Sequence, residues 1–154
     1  MRYIESPKTY TESDKNLSLN DRSLFLAGGI SGCENWQSRM ALYLRDLPIV
    51  LLNPRRKDFP IDDPEAAQAQ IEWEYNHLRR ASMILFWFPF ETLCPIVLYE
   101  LGAWSMTDKK IFVGVHPEYK RRQDVEIQTK LVRPEVQIVY DLGSLLEQII
   151  SECR

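Results

Sequence analysis

The chain has 154 residues, 45% apolar and 27% charged, with 19 Lys and Arg against 22 Asp and Glu for a net charge of -3. This length fits one domain able to bury a core without disulfide or metal support, and the composition excludes a disordered chain. The mildly acidic balance disfavours a nucleic-acid polymer as partner and leaves small charged ligands open. Three cysteines (Cys33, Cys94, Cys153) without a CxxC pair, and only two histidines (His77, His116), argue against a disulfide framework, a zinc knuckle and a His-rich metal site. The start, MRYIESPKTYTESDKN, has no apolar signal-type stretch. The longest apolar run, near residues 83–90, falls far short of the ~18 residues that span a bilayer. A soluble, cytoplasmic protein without a membrane partner is expected.

Residues 1–22 are polar and aperiodic and read as an N-terminal arm with a short strand over residues 2–5, and residues 23–154 read as an α/β domain. Residues 24–27 form a short apolar strand ending in Gly28-Gly29. Residues 36–47 place Trp36, Met40, Leu44 and Leu47 at helical spacing. A second strand, 49–52, stops at Asn53-Pro54. Residues 64–81 read as a helix, with Pro64 suited to the first turn and Ile71, Tyr75, Leu78 and Ser82 on one face. Residues 83–88 are apolar throughout, as a strand covered on both sides should be. A helix at 95–106, a strand at 111–115, a short helix at 124–132 and a weaker fifth strand at 137–140 follow. The last helix, 142–151, turns Leu142, Leu145, Leu146, Ile149 and Ile150 inward. The alternation predicts an open, parallel, five-stranded α/β sheet with helices on both faces.

Ligands of such sheets bind beyond the carboxyl ends of the strands. That rule selects loops 28–36, 53–60, 89–95 and 116–124. In LFLAGGISG, residues Gly28, Gly29, Ile30 and Ser31 form a Gly-rich turn where backbone N–H groups can approach a ligand, although neither GxGxxG nor a P-loop is present. A tight turn alone explains those glycines equally well. Arg55 and Arg56 in NPRRKDFP suit a phosphate or carboxylate, or simply a basic surface loop. Glu74, in IEWEYNHLRR, lies at the edge of its helix face, pointing into a cleft or solvated as most helical Glu are. Glu100 sits among Ile96, Val97, Leu98, Leu101 and Ala103. A carboxylate there is desolvated at a cost, which marks functional groups and structural ion pairs alike. Trp36, Trp73, Trp87 and Trp104 serve the core, a subunit contact or base stacking.

LFLAGGISG, NPRR, the Trp73-Glu74 pair, ILFWFP and PIVLYELG together resemble, in order and spacing, the nucleoside 2-deoxyribosyltransferase-like proteins over about residues 24–140, nearest to a divergent branch of short members. The resemblance implies a flavodoxin-like or Rossmann-like sheet and a homo-oligomer. It also implies an enzyme that, with no metal or redox cofactor, cleaves the N-glycosidic bond of a 2'-deoxynucleoside or its 5'-monophosphate, passing the sugar to another base or to water. Glu100, in the ELG box, matches the residue that attacks C1' to form a covalent deoxyribosyl-enzyme. Glu74 matches the acid that protonates the leaving base, and Gly28 to Ser31 match the nucleoside-lining loop. Asn53, Arg55, Phe88, Pro89 and Tyr119 are the further candidate substrate contacts, with Arg121 or Asp124 reaching the site or merely solvated. Typical members carry an acid a few positions before the nucleophile, whereas the acid here is Glu91, nine residues away. Two other readings stay open: a nucleotide-binding or sensing module without turnover, and an N-glycosidase acting on another ribosyl donor such as NAD.

Overall fold

The structure is a computed structural model that describes residues 1–15 and 22–154. Among the described residues the chain runs β1 (Arg2–Glu5), α1 (Glu12–Lys15), β2 (Ser23–Gly28), α2 (Trp36–Tyr43), β3 (Val50–Asn53), α3 (Pro64–Arg80), β4 (Met83–Phe88), α4 (Pro95–Ser105), β5 (Lys110–Val115), α5 (Arg122–Val132) and α6 (Leu142–Cys153). The strands form one parallel sheet in the order β1-β3-β2-β4-β5. All six residues of β4 are buried. Ile84, Phe86 and Phe88 enter one core layer with Trp73 and Leu78 of α3 and Val97 and Leu101 of α4. Met83, Leu85 and Trp87 enter the opposite layer with Trp36 and Met40 of α2 and Leu145 and Ile149 of α6. Helices therefore cover both faces, as the unbroken apolar run requires. No helix among the described residues is long and apolar enough to cross a membrane.

The strand order creates the position for a site. From β2 the chain crosses to β3 on one side and then to β4 on the other. The loops leaving the adjacent ends of β2 and β4, where Gly28 pairs with Trp87, diverge and open a crevice between them.

Three expectations need correction. Residues 137–140 do not form the fifth strand: only Val139 bridges to Gly114, through Val115 N–H to Val139 O at 2.9 Å and Val139 N–H to Val113 O at 3.1 Å. The neighbouring groups are already engaged. Val136 N–H donates to Arg133 O, Gln137 O accepts from the Gln148 side chain, and Asp141 caps α6. The fifth strand is instead β1, which lies within the expected arm and pairs with β3 from Arg2 opposite Val50 to Glu5 opposite Asn53. Residues 16–21 of that arm lie outside the described residues. On α3, Ile71 and Tyr75 are exposed, and the buried side chains are Ala66, Trp73, His77 and Leu78. Trp73 and His77 stack at 3.8 Å and bond to the N-terminal segment, so these amphipathic rings set the inward face in place of the aliphatic stripe.

Gly28 is required by packing. A Cβ there would lie 2.4 Å from Trp36 Cζ2 and 2.6 Å from the backbone oxygen of Trp87. Overpacking of this kind costs about 1–3 kcal/mol. Gly28→Ala is expected to lower the urea midpoint accordingly, with an unchanged denaturant slope; an unaltered midpoint would contradict the close approach.

Candidate active site

The crevice is a cleft of about 250 Å³ lined by Phe25, Ala27, residues 28–31, Pro54, Glu74, Thr92, residues 94–97 and Glu100. Its first wall, the loop after β2, is held from behind. The carbonyl of Gly29 accepts from Trp36 Nε1 at 2.9 Å and Gln37 Nε2 at 3.1 Å. Arg55 braces the same region, donating to Glu34 O, Gln37 Oε1 and Cys33 O at 2.7, 3.2 and 3.0 Å. The second wall is the turn from β4 into α4. Cys94 takes a left-handed conformation, φ 48°, uncommon for a residue with a side chain, and Pro95 then starts the helix with its fixed φ. Tyr119 donates to Leu93 O at 2.6 Å and holds that turn from outside.

Glu74 reaches the cleft from α3 and Glu100 from α4. Among the described residues, these are the only charged side chains in its lining. Burial raises Glu100, the charge of Glu74 raises it further, and it reaches about 8. Burial also raises Glu74, opposed by a hydrogen bond from Gln70 Nε2 to its Oε1 at 2.9 Å. The thiol of Cys94 is pushed up to about 12, first by burial and then by Cys33, so it lines the cleft as a neutral group. Near neutral pH the Glu74–Glu100 pair thus retains a proton. Such a cleft offers one anion and one proton to a bound molecule, the combination that acid-assisted glycosidic cleavage uses.

The cleft brings together Glu74, Glu100, Gly28, Gly29, Ile30 and Ser31 of the sequence candidates. The others lie outside its lining. Asn53 is buried and forms a turn, accepting from Arg55 N–H at 3.0 Å and donating to the Tyr3 hydroxyl at 2.6 Å. Phe88 is core and packs on Tyr119, their ring centroids 5.2 Å apart. Pro89 backs Gly29, whose Cβ would lie 2.6 Å from its Cγ. Arg121 and Asp124 pair with each other at 2.9 Å beside α5. Trp36, Trp73 and Trp87 are core residues, and Trp104 is half-buried under Lys109 Nζ, 4.4 Å from its ring centroid. Sequence reasoning selected loop 89–95 without singling out its Thr92 and Cys94, which line the cleft, and it missed Gln70, which stands four residues before Glu74 where helical neighbours meet.

The fold and cleft define a parallel α/β protein with a carboxylate pair at its topological switch point. A family model described as "nucleoside 2-deoxyribosyltransferase like" matches residues 21–119, more than half of the chain, and the protein belongs to this family. Comparison with curated proteins finds no match.

Because the folded value of Glu100 lies above its ordinary 4.5, its contribution to stability is full below pH 4.5 and is lost as pH rises through about 8. Glu100→Gln carries no charge to bury. Urea unfolding is expected to show the wild type losing stability across this window relative to Glu100→Gln; parallel pH profiles would contradict the burial of Glu100.

Proposed function

We propose that the protein cleaves the N-glycosidic bond of a 2'-deoxynucleoside by double displacement at Glu100. The observation that carries this reading is the pair of raised carboxyl groups in one cleft of a member of this family. Because Glu100 is the more strongly raised of the two, the proton rests mainly there, and the productive form is the minor one with the proton on Glu74 and the charge on Glu100. The Glu100 carboxylate attacks C1' as the C1'–N bond breaks, and Glu74 passes its proton to the departing base. Positive charge spreads over C1' and the ring oxygen in the transition state, and the adjacent anion stabilises it. A second base or a water molecule then attacks C1', its proton passes to Glu74, and the C1'–O bond breaks to restore the Glu100 carboxylate.

Charge favours the nucleoside over its 5'-monophosphate. Both charged groups in the lining are acidic, and Arg55 is committed to three acceptors in the chain itself. Self-association belongs to the same reading: α3 and α4, which carry the two carboxylates, expose Ile71 and Tyr75, and Ile96 and Tyr99, apolar side chains that a second copy would cover.

Incubation with 2'-deoxyadenosine is expected to release adenine, and added cytosine intercepts the sugar as 2'-deoxycytidine if transfer competes with hydrolysis. Glu100→Ala is expected to lower the rate by roughly 10³-fold or more, and the 5'-monophosphate to show about tenfold lower kcat/KM from like-charge repulsion. Absence of base release from nucleosides and nucleotides, or a Glu100→Ala variant that matches the wild type, overturns the reading.

A further inference from the structure

The segment before residue 16 lies outside the family match, which starts at residue 21, yet it is fastened along one face of α3. Ser6 Oγ donates to Gln70 Oε1 at 2.6 Å. Trp73 Nε1 donates to Lys8 O at 2.7 Å. Tyr10 N–H donates to His77 Nε2 at 2.9 Å, and Arg80 donates to Tyr10 O at 2.7 Å. The helix partners, 70, 73, 77 and 80, recur at the spacing of one helical face. They follow the strip that sets the rotation of α3, and hence the direction of Glu74.

The first of these bonds leads into the cleft. The Gln70 side chain joins three partners: its Oε1 accepts from Ser6, and its Nε2 donates to Pro54 O at 2.8 Å and to Glu74 Oε1 at 2.9 Å. The orientation of the amide follows from chemistry. Pro54 O can only accept, so the NH2 end must face it, and the carbonyl end then turns to the Ser6 hydroxyl. Ser6 is 3% exposed, so water has little access to replace its hydroxyl. Both N–H bonds of Gln70 are committed, one of them to Glu74. With Oε1 of Glu74 held as an acceptor, any proton on this carboxyl sits on Oε2.

We propose that Gln70 is the positioning residue of the acid–base carboxylate Glu74, and that the N-terminal segment holds Gln70 in its donating orientation through Ser6. This rests on the assignment of Glu74 as the acid in the proposed glycosidic cleavage. The bond keeps one oxygen of Glu74 as acceptor, directs the transferable proton to the other, and stabilises the anion left when the base departs. Gln70 on its own helix bonds to Glu74, the Glu100 carboxyl from α4 is close enough to be raised by the charge of Glu74, and the neutral Cys94 thiol and Pro54 share the cleft lining. Among the described lining residues none is a cation, and the Gln70 side chain is the donor that opposes burial at Glu74.

The test follows the carboxyl carbon of Glu74 by 13C NMR through a pH titration, its signal assigned by loss in Glu74→Gln. Gln70→Met keeps the chain length and removes the donor. Its Glu74 midpoint is expected to rise by about one pH unit, the scale of one hydrogen bond to a charged group. Ser6→Ala, which leaves Gln70 in place, is expected to raise it by less, and Ser6→Thr to restore it. With deoxynucleoside, the limb of the kcat/KM pH profile that Glu74 sets is expected to move upward in step, and kcat of Gln70→Met to fall about tenfold, within the range of general-acid effects. Should Gln70→Met fail to fold, the Ser6→Ala and Ser6→Thr pair decides. An unchanged Glu74 titration in the folded variants overturns the proposal even where the wild type cleaves nucleosides. Shifted titrations in a protein that cleaves nothing instead overturn the cleavage reading and leave the Ser6–Gln70–Glu74 connection standing.

Discussion

Two carboxyl groups walled into one cleft repel each other when both are ionised, and burial makes each charge costlier. This constraint organises the site. Glu74 and Glu100 come from consecutive long helices, α3 and α4, which pack against the same layer of the sheet through Trp73, Leu78, Val97 and Leu101. The packing buries both carboxyls in the cleft, and that burial, with the charge of Glu74 adding to it at Glu100, keeps a proton on the pair above the ordinary carboxyl range. Gln at one of the two positions would relieve this cost, so the presence of both acids lowers stability, a trade commonly found at functional sites.

The walls of the cleft are built to stay still. Gly28 admits the Trp36 ring and the Trp87 carbonyl at distances that no side chain would allow, and the Gly29 carbonyl is held by two donors. Arg55, which as a sequence motif suggests a phosphate ligand, is a strut whose guanidinium ties the β3 end to the start of α2. Tyr119 acts likewise on the β4–α4 turn. Basic and aromatic side chains near the site thus hold its loops, and the two acids define its electrostatics.

Much of this was legible in the sequence where a single strong physical signal dominated. The apolar run of β4 and the periodic face of α6 announced themselves, and Glu100 stood out because a carboxylate inside an apolar helix is an anomaly that demands a reason. The inward face of α3 was misread because Ile71 and Tyr75 carry the more regular apolar pattern, whereas Trp73 and His77 are buried through ring stacking and polar contacts to residues 8 and 10. Residues 137–140 have strand-like composition, but turn and capping bonds on both sides leave only Val139 free to pair. The Ser6–Gln70 contact joins positions 64 residues apart. Two polar residues carry no periodic signal of such a meeting, so the role of the N-terminal segment emerges only once the chain is folded.

The central claim is that Glu100 becomes covalently bonded to the sugar. The most direct measurement is mass spectrometry of protein mixed with 2'-deoxyadenosine and quenched in acid during turnover, followed by peptide mapping. The account predicts one added deoxyribosyl group on the peptide that contains Glu100, discharged on addition of a free base, and absent from Glu100→Gln. Base release with Glu100 unmodified, and persisting in Glu100→Gln, would contradict it.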